Sequence, residues 1–118
     1  MVLNQQTLAL PLLDDQRISR LKNTDTDQAF FLEMVGLFEK RSAELIQEIS
    51  GEINGERKDI KPQLHKLKGI CYSLGACRLA EVCKELEAMA EHGNIDSTVV
   101  VLLSEINNET LAALKAQL

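Results

Sequence analysis

Ile60, Leu64, Leu67, Cys71 and Leu74 stand four, three, four and three residues apart. That spacing puts all five on one stripe of an α-helix and on no single face of a strand. The same rhythm marks Phe31, Met34 or Val35, Phe38, Leu45 and Ile49, then Leu79, Cys83, Leu86 and Ala90. It returns in Val99, Leu102, Leu103, Ile106, Thr110 and Leu114. No stretch alternates apolar and polar residues, and two prolines and six glycines leave few breaks. Four amphipathic helices with short connections bury their stripes by packing as antiparallel neighbours. The expected fold is therefore all-α, an antiparallel four-helix bundle with a short additional N-terminal capping helix.

Local signals set the boundaries. Residues 1–13 form a lead-in, with Pro11 near its end. Asp14 and Asp15 then cap a short helix through Ile18 and Leu21 that lids one end of the bundle. Thr24 with Asp27, or Asp25 with Gln28, supplies a reciprocal cap for a long helix over 27–53, which Asn54-Gly55 closes. Pro62 is tolerated only in a first turn, so the next helix starts near Lys58 or Asp59 and spans 58–73. Gly75 makes a tight connection to a helix over 76–92, ended by His92-Gly93-Asn94. Asp96 or Ser97 caps the last helix, 96–117. The whole, 1–118, reads as a single domain, about the size one core supports.

The bulk properties exclude several functions. A net charge of −5 and only three Phe, one Tyr and no Trp supply neither the basic surface nor the stacking platforms that nucleic-acid binding needs. The longest apolar run, Val99 to Leu103, has five residues, against about 20 for a membrane-spanning helix. Three cysteines without a CxxC pair and no secretory signal fit reduced thiols in the cytoplasm. No Gly-rich phosphate loop and no GxSxG elbow is present, so neither ATP-dependent self-phosphorylation nor acyl transfer is supported.

One polar stripe carries chemistry. His65 lies one residue off the buried seam, and Lys61, Lys68, Gly69 and Tyr72 share its face at i−4, i+3, i+4 and i+7. A glycine within a helix costs about 1 kcal/mol relative to alanine, and at position 69 it clears the approach to His65. A neutral imidazole is a competent nucleophile near neutral pH. A phosphoryl group on it brings nearly two negative charges, which the Lys68 ammonium stabilises. Reflection through Gly75-Ala76 sets Glu87 beside His65, where its carboxylate can accept a hydrogen bond from one ring N–H and fix the tautomer. The apolar arc of Phe30, Phe31, Met34, Leu37 and Phe38 is wider than a seam. The short first helix covers most of it, and one or two of its residues remain for docking. His65, Cys71, Cys77 and Cys83 recur every six residues, but six helical steps turn the side chain by roughly 240°, so no metal site is expected. His92 simply sits at a helix C-terminus.

His65-Lys66-Leu67-Lys68-Gly69, Leu74-Gly75-Ala76, Leu79, Cys83 and Leu86-Glu87 closely resemble the histidine-containing phosphotransfer (HPt) domain of multistep two-component signalling. The likeness extends from Phe31–Ile49 through Gly55 to the last helix. It implies that His65 accepts a phosphoryl group from the aspartyl-phosphate of a receiver domain in a hybrid sensor histidine kinase and passes it to a response-regulator aspartate. Lys68 would stabilise the group, Gly69 would permit close docking, and Glu87 matches the Gln or Glu that hydrogen-bonds the histidine. The charge of Glu87 repels a phosphoryl group unless the carboxylate bonds only the far nitrogen. Tyr72 departs from the small residue often found at its position.

Lys61, Lys66, Gly69 and Tyr72 around the histidine, with Phe30 and Met34 from the arc, form the expected partner surface. The family has no intrinsic kinase activity, so the chain needs no cofactor, and magnesium belongs to the receiver. A monomeric, free-standing shuttle is expected. The alternative is a helical adaptor that binds a receiver without transfer. A dimerisation-and-histidine domain is disfavoured, because that family usually has an acidic residue directly after its histidine, where Lys66 stands.

Overall fold

Each apolar stripe is long enough to bury one helix face, and each connection is short, so the chain folds back on itself repeatedly. The structure, a computed structural model, describes residues 3–24, 28–55, 59–93 and 95–118. Among the described residues there are six helices and no strand: α1 Gln5–Leu8, α2 Asp15–Lys22, α3 Ala29–Asn54, α4 Lys61–Leu74, α5 Cys77–Glu91 and α6 Thr98–Lys115. Helix α4 packs most extensively on α5, α3 packs on α4 and α6, and α5 packs on α6. That closes a four-helix ring of sequential neighbours. The 26 residues of α3 span about 39 Å at 1.5 Å each, most of the molecule's 48 Å long axis.

The seams read from spacing are the core. Phe31, Val35, Phe38, Leu45, Ile49, Ile60, Leu64, Leu67, Cys71, Leu74, Leu79, Cys83, Leu86, Val99, Leu103, Ile106, Thr110 and Leu114 are buried, while Met34, Ala90 and Leu102 are partly buried. The seam of α3 steps seven positions from Phe38 to Leu45, and buried Ser42 fills the interval. Its Oγ accepts a 3.1 Å hydrogen bond from Asn107 Nδ2 of α6 and donates to Glu39 O at 3.3 Å. Sliding α3 against α6 would leave both side chains buried without their partners.

Several boundaries shift for local reasons. Helix α4 begins at Lys61 rather than near Asp59, with Pro62 in its first turn and Asp59 Oδ1 accepting from Lys61 N at 3.3 Å. Asp96, not Ser97, supplies the side-chain cap of α6, accepting from Thr98 N at 2.9 Å and from Thr98 Oγ1. Those bonds, the one from the Thr98 hydroxyl foremost, hold its carboxyl below the ordinary value. Gln28 is the N-cap of α3, with a left-handed φ of 59° and no side-chain cap bond. The expected caps from Asp25 and Asp27, and the expected roles of Lys58 and Asn94, fall outside the described residues.

The lead-in is more than a tether. It contains the single turn of α1, capped by Asn4 Oδ1 on Gln6 N at 2.8 Å. Asp14 caps α2 as expected, accepting from Gln16 N and Arg17 N at 3.1 and 3.2 Å. Ile18 and Leu21 are buried where α2 packs on α3 and α4. Four hydrogen bonds then clamp the segment to the α4–α5 connection: Asp14 N to Gly75 O at 2.7 Å, Arg17 Nε to Ser73 O at 3.1 Å, Arg78 Nε to Leu10 O at 2.6 Å and Cys77 Sγ to Pro11 O at 3.0 Å. They satisfy carbonyls that a helix end and an irregular segment leave open.

Gly75 turns the chain between α4 and α5 with a φ of 77°. A Cβ there would also stand 3.1 Å from Arg17 Cβ and Cγ. Gly75→Ala should lower the free energy of unfolding by about 1–2 kcal/mol, the penalty for a side chain in the left-handed region, as read by denaturant titration. Unchanged stability would show that this turn relaxes freely.

Candidate functional site

Burial of Leu64 and Leu67 on either side of it leaves His65 no direction but outward from α4. Its side chain is 74% exposed. Lys61, Lys68, Gly69 and Tyr72 follow along the same face, as their spacing predicts. Lys66 is exposed beside them. The tight turn at Gly75 brings Glu87 of α5 level with this stripe.

Glu87 bridges the stripe. Its Oε1 lies 2.9 Å from Lys68 Nζ, and its Oε2 lies 3.9 Å from His65 Nδ1. The expected hydrogen bond between Glu87 and the imidazole is therefore not formed in this conformation, since 3.9 Å exceeds hydrogen-bond reach. The carboxylate leans toward the ammonium, the stronger permanent charge. Oε1 is buried without a hydrogen bond of good angular geometry, and the nearby ammonium compensates it electrostatically. Contact with the Glu87 carboxylate raises the Lys68 ammonium above its ordinary value, against a smaller opposing effect of burial.

The same hairpin geometry makes two further cross-links that the sequence reading missed. Lys61 Nζ lies 3.9 Å from Glu91 Oε1, and Tyr72 Oη donates to Glu81 Oε1 at 3.1 Å. Reflection through Gly75-Ala76, the step that located Glu87, sets 61 opposite 90–91 and could have found the first pair. Burial first, then the bond to Glu81, pushes the Tyr72 phenol above its ordinary value and keeps it a donor.

Gly69 is exposed, and a Cβ built on it would meet nothing within 4 Å. Close packing inside the protein therefore does not require the glycine. The open space lies on the His65 face.

Phe30 and Met34 stand elsewhere. Met34 lines an apolar groove of about 410 Å³ between α3 and α4, with Leu37, Phe38, Ile70 and Leu74. Ile70 to Leu74 lie about 7–14 Å beyond His65 along the α4 axis, at 1.5 Å per residue. Phe31 and Phe38 are buried, while Phe30 and Leu37 are 40% and 61% exposed. The short helix α2 thus covers only part of the arc.

Cys71 and Cys83 are core thiols. Burial pushes the first well above its ordinary value and the second up to about 12. Among the described residues, no group of three or more His, Cys, Asp or Glu side chains could hold a metal ion. Nor, among them, is any helix long and apolar enough to cross a membrane.

Compared with known families, residues 33–117 match the family model of the Hpt domain. That span runs from the first turns of α3 to just beyond α6 and leaves out α1 and α2. No curated protein and no solved structure matches the chain.

Gly69→Gln should fold normally and gain a few tenths of a kcal/mol, because glutamine is the better helix former and its side chain enters open space. Thermal unfolding checks this. A lowered melting temperature would mean that Gly69 serves packing.

Proposed function

The chain belongs to the Hpt domain family, whose members carry phosphoryl groups on histidine in phosphorelays and act with receiver domains, and from that premise we propose that His65 is its phosphoryl carrier. The observation that supports this most directly is a solvent-presented imidazole flanked by Lys68 and by the unobstructed Gly69. In this reading Glu87 biases the ring from the Nδ1 side, so that Nε2, the nitrogen remote from it, acts as the nucleophile. The Nε2 lone pair forms a P–N bond while the P–O bond to the donor receiver's aspartyl carboxyl breaks and returns its electron pair to that carboxylate. In the second transfer an aspartate oxygen of the acceptor receiver attacks phosphorus, and the P–N electron pair returns to the ring. Lys68 offsets the charge of the group while it resides on His65.

The donor is the receiver domain of a hybrid sensor histidine kinase, and the acceptor is a response-regulator receiver. Magnesium enters with the receivers, and the chain contributes no kinase activity of its own. We place this exchange in the cytoplasm, with the chain acting as a monomer. Lys61, Lys66, Gly69 and Tyr72 form the contact surface around the histidine. Phe30 and Met34 extend it toward the α3–α4 groove. The exposed Leu37 and that groove also suit a receiver-binding adaptor that transfers nothing.

Incubation with a phosphorylated receiver should place acid-labile label on the wild-type chain and none on His65→Gln. Persistent label in the variant would sink the assignment. A stable complex with no acid-labile phosphate in the wild type would favour the adaptor. Gly69→Gln should raise the Kd for the receiver by about tenfold, as expected for over-filling a close contact, measured by titration calorimetry. An unchanged Kd would place the docking surface elsewhere.

A further inference from the structure

One carboxylate serves two basic groups at this site. Glu87 lies within 4 Å of both Lys68 and His65, but the 2.9 Å contact is with Lys68. The Lys68 and Glu87 side chains are 20% and 23% exposed, whereas His65 is 74% exposed. The ammonium that would meet a phosphoryl group is thus already neutralised while the histidine is free. Other charges on this face have partners of their own: Lys61 pairs with Glu91, and Glu81 accepts from Tyr72. Lys66 is exposed, and the buried Cys83 thiol beneath is neutral at physiological pH.

Building on the phosphoryl-carrier reading, we infer that Glu87 is a positioning residue that shortens the lifetime of the phosphohistidine, by competing for Lys68 and by repelling the phosphoryl group. Without the phosphoryl group the cluster pairs one ammonium with one carboxylate. The phosphoryl group adds nearly two negative charges, so a single cation then faces both it and Glu87. Whatever share of Lys68 the carboxylate retains is lost to the phosphoryl group, and the two anions repel each other.

Removal of the group balances simply. Attack by Nε2 leaves the proton on Nδ1; in hydrolysis a water oxygen bonds to phosphorus as the P–N electron pair returns to Nε2, so the ring departs as neutral imidazole and inorganic phosphate is released. Competition and repulsion both make the phosphoryl group easier to remove. Glutamate at this place favours rapid passage over storage.

The test uses the full chain loaded from a phosphorylated receiver, with the receiver then removed. Acid-labile phosphoryl is followed by intact mass near neutral pH. Glu87→Gln keeps the shape and removes the charge. It should lengthen the half-life about fivefold near neutral pH, as for a unit charge removed about 4 Å away in water. Glu87→Asp keeps the charge but withdraws it by one methylene, and should give an intermediate half-life. Thermal unfolding confirms that each variant is folded. Should Glu87→Gln not fold, the Asp variant against wild type decides alone. Equal lifetimes, or a shorter one in Glu87→Gln, would overturn this role for Glu87 while leaving His65 the carrier. A wild-type chain that takes up no label would overturn the carrier reading itself, and this inference with it.

Discussion

The left-handed turn at Gly75 is the constraint from which the site is built. Helices α4 and α5 pack more extensively on each other than any other pair, and their register is set by how few residues separate Leu74 from Cys77. With that turn closed, the chain must lay residue 87 opposite 65 and 68. The N-terminal segment reinforces it from outside, since Asp14 and Arg17 bond to Gly75 O and Ser73 O. Those two contacts come from residues outside the span that matches the Hpt family. A segment peripheral to the family fold therefore braces the hairpin on which the histidine depends.

Around the histidine, charge matters more than shape. Among the described residues no neighbouring helix hydrogen-bonds the imidazole, and the carboxylate expected to orient it leans instead on Lys68. The Coulomb attraction between the Lys68 ammonium and the carboxylate 2.9 Å away accounts for that lean. The result is a Lys68–Glu87 pair with no net charge between them, which the proposed phosphoryl group would make negative. The exposed face and the space above Gly69 leave room for a partner to supply what the chain lacks.

Much of this was readable from residue spacing. The seams on α3 through α6 are the core because a 3.6-residue period and burial are two descriptions of one geometry. The stripe of Lys61, His65, Lys68, Gly69 and Tyr72 followed from the same rule. Glu87 was reachable as well, by reflecting the sequence through Gly75-Ala76. Less visible was Ser42 at a core position, because a polar residue in a seam looks like an interruption until its partner Asn107 is known. The single turn of α1 and the clamps from Leu10, Pro11, Asp14 and Arg17 were also hidden, since they rest on contacts between segments far apart in the chain.

The sequence by itself determined that the chain is helical, which faces are buried and which histidine is presented, because each of these depends on neighbours within two turns. The tertiary structure alone decided how Glu87 divides its charge between Lys68 and His65, how far α2 covers the apolar arc, and that Gly69 faces open space. Those outcomes depend on ångström differences between side chains of separate helices. Helical periodicity fixes the direction of a side chain to within a face, and only the packed arrangement fixes its distance from a charge across the hairpin.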